Sequence, residues 1–225
     1  MYYTVYPMQV EDIPQVAEIN REAFPTEWPP PSYKRELSNR LAHYLVACDG
    51  RQIEGEKSVA SSEIARTGLM RRATQSLTSW KRYLFGGEAP PWGNRYIVGF
   101  AGFWLMADEA HIVDIAVRQS YHQCVPCFFL TRIPLDLATE LNAQIITLEV
   151  RVSNLAAQAL YEKYGFIKVG TRRGYYLDNK EDAIIMTTDT ITSASNQTLS
   201  QRLKLEFDER WGKTRCLLLE DSPTK

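Results

Sequence analysis

The sequence predicts an α/β (α+β) fold in which strand-like apolar runs alternate with amphipathic helices around one core. The run Ile145–Val152 is β-branched and apolar around a single carboxylate, which is typical of a buried strand. The segment Leu155–Tyr164 then shows helical spacing of apolar residues and stops at Gly165. A chain of 225 residues is long enough to bury a full core as one domain with additions.

The composition disfavours several classes of protein. The chain has 26 Lys and Arg and 27 Asp and Glu, so its formal net charge is −1. Such a small net charge gives no overall electrostatic attraction to nucleic acid or to a membrane. No apolar run approaches the roughly 20 residues of a spanning helix. The N-terminus, MYYTVYPMQVED, lacks the basic region and apolar core of a secretory signal. We therefore expect a soluble cytoplasmic protein without a direct nucleic-acid partner.

The cysteines do not indicate a metal or redox centre. Cys124 and Cys127 have the CVPC spacing of a redox pair or half a zinc site, and His122 is adjacent. A four-ligand zinc site needs two more nearby nitrogen or sulfur ligands, and a thioredoxin-like site needs its own βαβ context. We expect buried, inert thiols and no metal.

The N-terminal elements follow from the pattern in order. A first strand is expected at Tyr3–Met8, followed by a helix whose apolar stripe runs from Ile13 to Ala23, with Pro14 in its first turn. The four prolines of PTEWPPPSYKREL end that helix. A short helix at Ser32–Arg40 and a strand at His43–Cys48 come next.

Residues 51–95 form a basic insertion. They hold eight Lys or Arg against four Glu, or +4, and residues 58–85 have a helix pattern that GGEAPPWGN breaks. One interpretation is an inserted segment on the protein surface whose basic side chains face solvent. A lid, a ribosome contact or a membrane-surface helix is the alternative.

The remaining strands and the tail complete the pattern. Tyr96–Leu105 reads as a buried strand in which Gly99 and Gly102 permit close approach or a bulge. His111–Val117 is a second strand, and His111 is expected as a residue that starts this strand and not as a ligand or base. Two more strands are expected at Phe166–Tyr176 and Ala183–Thr188. Residues 189–225 are predicted to form a Ser/Thr-rich linker followed by a short amphipathic helix. The helix is indicated by apolar residues that recur every four positions, at Leu199, Leu203, Phe207 and Trp211.

The segment Ile145–Phe166 has the pattern LEVRxSNxxAxxLYxKxGF, which resembles the C-terminal part of the GNAT acetyltransferase domain. With the following RRGYY and EDAIIM runs it resembles the RimI type, which acetylates the N-terminal amine of a ribosomal protein. The resemblance implies a GNAT fold with a mixed central sheet of about six or seven strands flanked by about four helices. The domain would span residues 1–188, interrupted by the insertion 51–95, with 189–225 appended.

The resemblance also assigns catalytic roles. Glu149 matches the general base and Tyr161 the general acid of the family. A free glutamate titrates near pH 4.3 and is a weak base, whereas a phenol, with its reference value of about 10, stays protonated at neutral pH. Burial of Glu149 between apolar neighbours would make it a stronger base. Asn154 would cap the following helix and hydrogen-bond acetyl-CoA.

The family holds the CoA phosphates with a Gln/Arg-x-x-Gly-x-Gly/Ala loop at a helix start, where backbone N–H groups and the helix dipole attract anions. Alignment on AVRQSY and LEVR places residues 122–127 on that loop, and both glycines are missing. Pro126 lacks a backbone donor, and Val125 and Cys127 would be strained by about 1–3 kcal/mol if the loop had positive φ there. We therefore expect weaker acetyl-CoA binding than in a typical relative.

Pro134 lies well inside the following helix, where a proline can lower helix stability by about 3 kcal/mol or kink the helix. The acetyl-CoA positions implied are Ile115, Ala116, Val117, Gln123, Cys124, Val125, Pro126, Cys127, Phe128 and Asn154.

The acceptor side is likewise assigned by resemblance. Arg172, Arg173, Tyr175 and Tyr176 would grip an extended N-terminus. Phe24, Trp28 and Tyr33 would either border the same groove or pack the helices together. The expected function is acetyl-CoA-dependent acetylation of the N-terminal amine of a ribosomal or similar protein. Two alternatives remain: acetylation of a lysine or a small-molecule amine, and a cofactor-impaired domain that serves as a binding module.

Overall fold

The computed structural model describes residues 3–26, 29–49, 95–122 and 125–211. The insertion helix predicted at residues 58–85 lies outside these ranges. The strands are β1 (Tyr3–Pro7), β2 (Ala42–Asp49), β3 (Ile97–Met106), β4 (Glu109–Val117), β5 (Ile145–Arg151), β6 (Phe166–Arg172) and β7 (Ala183–Thr188). The α-helices within the described ranges are α1 (Ile13–Ala23), α2 (Tyr33–Ser38), α3 (Val125–Glu140), α4 (Leu155–Lys163) and α5 (Ala194–Trp211).

All seven strands belong to one mixed sheet in the order β1-β2-β3-β4-β5-β7-β6. The β4–β5 pair is parallel, and every other pair is antiparallel. One cluster of buried apolar residues includes Val16 and Ile19 of α1 and Tyr33 of α2, and the other includes Leu130 of α3 and Leu203 of α5. The predicted α/β class with a mixed sheet is confirmed.

The period-2 alternation of β5 separates its core side from its functional side. Ile146, Leu148 and Val150 are at most 5% exposed, whereas the residues between them are partly exposed. Because successive side chains of a strand point to opposite faces, Thr147, Glu149 and Arg151 share the other face of the sheet. The carboxylate that interrupts the apolar run therefore lies on the face opposite the α3 core.

Strand β4 bends at Val113. Gly102 of β3 pairs with Asp114 and Phe103 pairs with Ile112, so Val113 is an extra residue that forms a β-bulge. A Cβ on Gly102 would overlap the ring of Tyr44, which explains the glycine opposite this irregularity. The predicted bulge at this glycine is confirmed.

The bulge coincides with the end of the β4–β5 ladder. These two fully described strands pair from Glu109 with Ile145 to Ile112 with Leu148, and no further. The sheet therefore opens between β4 and β5 beyond Ile112. This opening, bordered by Val113–Val117 on β4, is called the β4/β5 cleft below.

Two predicted boundaries are wrong by several residues. β6 ends at Arg172 and not at Tyr176, because Gly174 takes a positive φ of 58° and its N–H donates to Asp182 Oδ1 at 2.8 Å. The linker is shorter than predicted and α5 is 18 residues long, because Ser193 caps it: Ser193 Oγ accepts from Asn196 N at 3.3 Å. Helix α3 continues across Pro134, which lies inside the helix as the sequence predicted.

Within the described ranges, no helix has the length and apolar character needed to cross a membrane.

Candidate active site

A row of four polar side chains crosses the β4–β5 pair. Parallel pairing puts His111 opposite Thr147, with Glu109 two residues before His111 and Glu149 two residues after Thr147. Residues two apart on a strand share a face, so all four lie on the same side of the sheet. The row ends beside the β4/β5 cleft.

Glu149 lies between an imidazole and a guanidinium group. Its side chain is 6% exposed, with Oε2 at 3.0 Å from His111 Nε2 and Oε1 at 3.2 Å from Arg172 NH2. A buried carboxylate is stable when its charge is compensated by such partners. The Arg172 side chain is 54% exposed, so this partner approaches from solvent.

His111 continues the row away from Glu149. Its Nδ1 lies 2.9 Å from Thr147 Oγ1, and the Thr147 hydroxyl donates to Glu109 Oε1 at 2.5 Å. The expectation that His111 starts the strand is wrong, because β4 begins at Glu109 and His111 is its third residue, where it contacts the carboxylate assigned as the base. The DEAH run contains no signal of this role; the parallel register of two separate strands produces it.

Tyr161 lies on α4, which starts directly after β5. The phenol is half-buried and its ring centroid is 5.7 Å from that of Phe166. Burial, together with the neighbouring Tyr176, raises the pKa of Tyr161 to about 12. Asn154 caps the same helix, its Oδ1 accepting from Ala157 N at 3.1 Å.

The acceptor loop, defined as residues 172–182, is anchored by Arg151. The guanidinium contacts Asp178 Oδ2 at 3.0 Å and Glu181 Oε2 at 3.2 Å, and lies 3.8 Å from the ring centroid of Tyr176. Hydrogen bonds from Ser153 to the carboxylate lower the pKa of Glu181 to about 2, so this carboxylate stays ionised. The anchor therefore persists over the physiological pH range.

Aromatic rings on the acceptor loop lie close to the carboxylate. Tyr175 and Tyr176 meet edge to face at 5.2 Å, and Arg172 lies 5.6 Å from the Tyr175 ring centroid. Burial and the charge of Glu149 raise the pKa of Tyr175. Arg173 is exposed at the tip of this turn. The structure thus brings Arg172, Tyr175 and Tyr176 together beside Glu149.

The loop between α1 and α2 meets the acceptor loop, since Thr26 Oγ1 donates to Asp178 Oδ2 at 2.6 Å. Of the aromatics predicted either to border the groove or to pack the helices, Tyr33 packs: it is 3% exposed, meets Tyr44 and Phe100 edge to face, and donates to Asn20 Oδ1. Phe24 is partly buried against the same cluster. Trp28 lies outside the described residues.

In the region assigned to acetyl-CoA binding, the backbone conformation differs from the one that the sequence led us to expect. Ile115, Ala116 and Val117 lie on β4 beyond the point where it leaves β5. Helix α3 begins at Val125, so Val125 and Cys127 have helical and not left-handed backbone, and the expected strain does not arise. Pro126 is the second helical residue, a position that tolerates proline. Phe128 belongs to the first turn, while Gln123 and Cys124 lie outside the described residues.

Among the residues that the structure describes, no group of three or more His, Cys, Asp and Glu is placed to hold a metal ion. Cys48 is a buried free thiol. Cys216, like Cys124, falls outside the described ranges.

Comparison with known proteins places this arrangement in a family. The profile of the Acetyltransferase (GNAT) family matches residues 69–166. A Bacillus subtilis (strain 168) protein, provisionally named ribosomal protein bS18-alanine N-acetyltransferase, is 32% identical over 80% of this chain and 90% of its own length. An N-alpha-acetyltransferase of Saccharolobus solfataricus is 28% identical over 82% of this chain and 91% of its own.

A solved structure has the same fold. The ribosomal-protein-S18-alanine N-acetyltransferase of Escherichia coli matches with a TM-score of 0.55 at 24% identity, over 86% of this chain and 97% of that one. The chain belongs to the GNAT family of N-acetyltransferases and is of the RimI type.

Proposed function

We propose that this enzyme transfers the acetyl group of acetyl-CoA to the N-terminal amine of a ribosomal protein or a similar protein. The observation that carries the proposal is the position of Glu149, a buried carboxylate between the β4/β5 cleft and the acceptor loop. Relatives named for N-terminal acetylation support the substrate class. A ribosomal acceptor implies that the enzyme works in the cytoplasm.

The described residues fit acetyl-CoA in two respects. The backbone of Ile115, Ala116 and Val117 borders the cleft and offers hydrogen-bonding groups to pantetheine amides. The N-terminus of α3, a 16-residue helix, directs N–H groups and positive dipole charge towards the loop before it, where phosphates would bind. Bound there, acetyl-CoA supplies an activated thioester. Pro126 removes one donor, so we expect the phosphates to be held less tightly than in relatives with glycines.

Glu149 and His111 act on the acceptor amine. An N-terminal amine has a reference pKa of about 7.7–8.0, so near neutral pH most of it is ammonium and not nucleophilic. Glu149 accepts the proton, directly or through a water molecule, and His111 at 3.0 Å stabilises the carboxylate and shares its proton.

Tyr161 acts on the leaving group. With its pKa raised to about 12, the phenol stays protonated at physiological pH and holds a proton for the departing thiol. Asn154 uses Oδ1 to cap α4, so its Nδ2 protons are the part of the amide that would bind acetyl-CoA. Arg172, Arg173, Tyr175 and Tyr176 would bind the first residues of the acceptor.

The test is acetyl transfer by the purified full chain to a peptide with the N-terminal sequence of the bS18 protein from the same organism. CoA release and peptide mass should both report transfer. Glu149→Gln and Tyr161→Phe should each lower kcat by about 10²-fold or more, because each removes an acid–base group. Glu162→Gln, on the exposed side of α4, is the matched control and should retain wild-type kcat.

Three further acceptors identify the substrate class: the same peptide with a blocked N-terminus, a lysine-containing peptide with a blocked N-terminus, and spermidine. Transfer to the free N-terminus alone supports the proposal. Faster transfer to lysine or spermidine would overturn the acceptor assignment. Absence of acetyl-CoA binding at millimolar concentration in calorimetry would overturn the proposed reaction and favour a binding module.

A further inference from the structure

The polar row on β4 and β5 constrains where protons lie. The Thr147 hydroxyl has one proton, and its 2.5 Å bond to Glu109 has the length of a hydroxyl donating to a carboxylate. Thr147 Oγ1 must then accept from His111 Nδ1, which is 2.9 Å away. His111 Nδ1 therefore carries a proton, and its other nitrogen, Nε2, faces Glu149.

The 3.0 Å contact between His111 Nε2 and Glu149 Oε2 also needs a proton between its two atoms, because two lone pairs would otherwise face each other. The His111–Glu149 pair thus shares one proton between Nε2 and Oε2, and Glu109 is a second carboxyl group at the other end of the row.

On this geometry, and resting on the proposed function, we propose that Thr147 and Glu109 are positioning residues that hold His111 with Nδ1 protonated and provide an exit for its proton. When the Nδ1 proton leaves towards Glu109, the His111–Glu149 pair can take up a proton from the acceptor amine.

The proton transfers balance. One proton of the acceptor ammonium moves to Glu149, the Nδ1 proton of His111 moves to Thr147 Oγ1, and the original Thr147 proton moves to Glu109. Before transfer Glu109 is a carboxylate and the His111–Glu149 pair, which shares one proton, is neutral overall, so the row has net charge −1. Afterwards it holds two carboxylic acids and a neutral imidazole, with net charge zero. Glu109 is partly exposed and can return its proton to solvent.

The fold supplies a matched control. Thr187 of β7 pairs with Thr147, but its hydroxyl donates to the Ile146 and Thr188 carbonyls and lies outside the row. Thr147→Val and Thr187→Val therefore delete the same group from neighbouring strands. Asp108→Asn matches Glu109→Gln in charge, and Asp108 is exposed beside the row.

The direct test is 15N NMR of the imidazole nitrogens in the full chain, which has three histidines, with His111 assigned by loss of its signals in His111→Gln. We expect Nδ1 of His111 to be protonated in the wild type, and protonation to move towards Nε2 alone in Thr147→Val. Thr187→Val should leave the spectrum unchanged. An Nδ1 without a proton in the wild type, or no change in Thr147→Val, would overturn the proposal.

Kinetics give the second readout. Thr147→Val and Glu109→Gln should lower kcat by about 10- to 100-fold, the loss typical when an outer partner that orients a functional histidine is removed. KM for peptide and acetyl-CoA should stay within about twofold, because neither residue binds ground-state substrate. If Thr147→Val and Glu109→Gln lowered kcat no more than Thr187→Val and Asp108→Asn do, the proposed proton exit through Thr147 and Glu109 would be refuted. An inactive wild type would instead refute the proposed function, while the NMR spectra would still decide the protonation of His111.

Discussion

Arg151 joins the strand that carries Glu149 to the loop that carries the acceptor-side aromatics. One guanidinium contacts two carboxylates, the amide oxygen of Asn179 and the face of Tyr176, partners that a planar fork can reach together. Because Asp178 also accepts from Thr26, the contact extends to the loop between α1 and α2. A single side chain therefore links β5 to the acceptor loop and, through Asp178, to the loop between α1 and α2.

We predict that Arg151→Lys raises KM for the acceptor peptide about tenfold and leaves KM for acetyl-CoA nearly unchanged. A lysine keeps the charge but cannot hold two carboxylates in a fork or stack on the tyrosine. Steady-state kinetics with each substrate varied measures the difference. Arg202→Lys, at a side chain 67% exposed on α5, is the control. Equal changes in both KM values would contradict the anchoring role.

His111 shows why part of the site could not be read from the sequence. Glu149, Tyr161 and Asn154 stand within one short segment, so their pattern is visible locally. His111 is 36 residues from Thr147, and their contact depends on the register of a parallel pair, which local patterns do not encode. The short-range part of the site was therefore predictable, and the contact between strands was not.

At the level of elements, the residue at which α3 begins determines how many backbone N–H groups remain for the proposed binding of the CoA phosphates. The glycines of the family loop are replaced by residues that enter the helix without strained backbone. Within the helix the loss is then one missing N–H at Pro126, without strained backbone at Val125 or Cys127. Sequence comparison could show the substitutions, but not that the helix begins early enough to accommodate them.

We predict that Pro126→Ala strengthens acetyl-CoA binding about tenfold, because it restores one backbone donor to a charged phosphate group. Isothermal titration calorimetry of the full chain measures Kd. Pro134→Ala makes the same change about two turns further along α3 and should leave Kd as it is. Unchanged binding in Pro126→Ala would show that this donor does not face the phosphates.

On the scale of the whole molecule, α5 closes the core on the side of α3 and α4. Leu203 is 3% exposed, Arg132 of α3 reaches Ser200, and Lys163 of α4 lies 3.6 Å from Glu206. Leu199 lies so close to Gly165 that a Cβ there would be 2.9 Å from its Cδ2. The appended helix is therefore part of the domain's packing, through the apolar face that the four-residue spacing of Leu199 and Leu203 indicated.

We predict that Leu203→Ala lowers the free energy of unfolding by about 2–5 kcal/mol, the usual cost of truncating a fully buried leucine. Leu205→Ala, at a side chain 63% exposed on the same helix, should change it by no more than about 0.5 kcal/mol. Urea unfolding followed by circular dichroism measures both. Equal effects would mean that the helix does not dock through Leu203.

The ion pair between Arg172 and Glu149 has a consequence for how the acceptor enters. The carboxylate already has a solvent-exposed cation on one oxygen, so in the proposed reaction an arriving ammonium would replace a positive charge and add none. Acceptor binding is then an exchange of counterions within a site of constant charge. Such an exchange gains little net Coulomb energy, so affinity must come from the groove that holds the following residues, and selection among proteins rests on the shape of their N-termini and not on the amine they share.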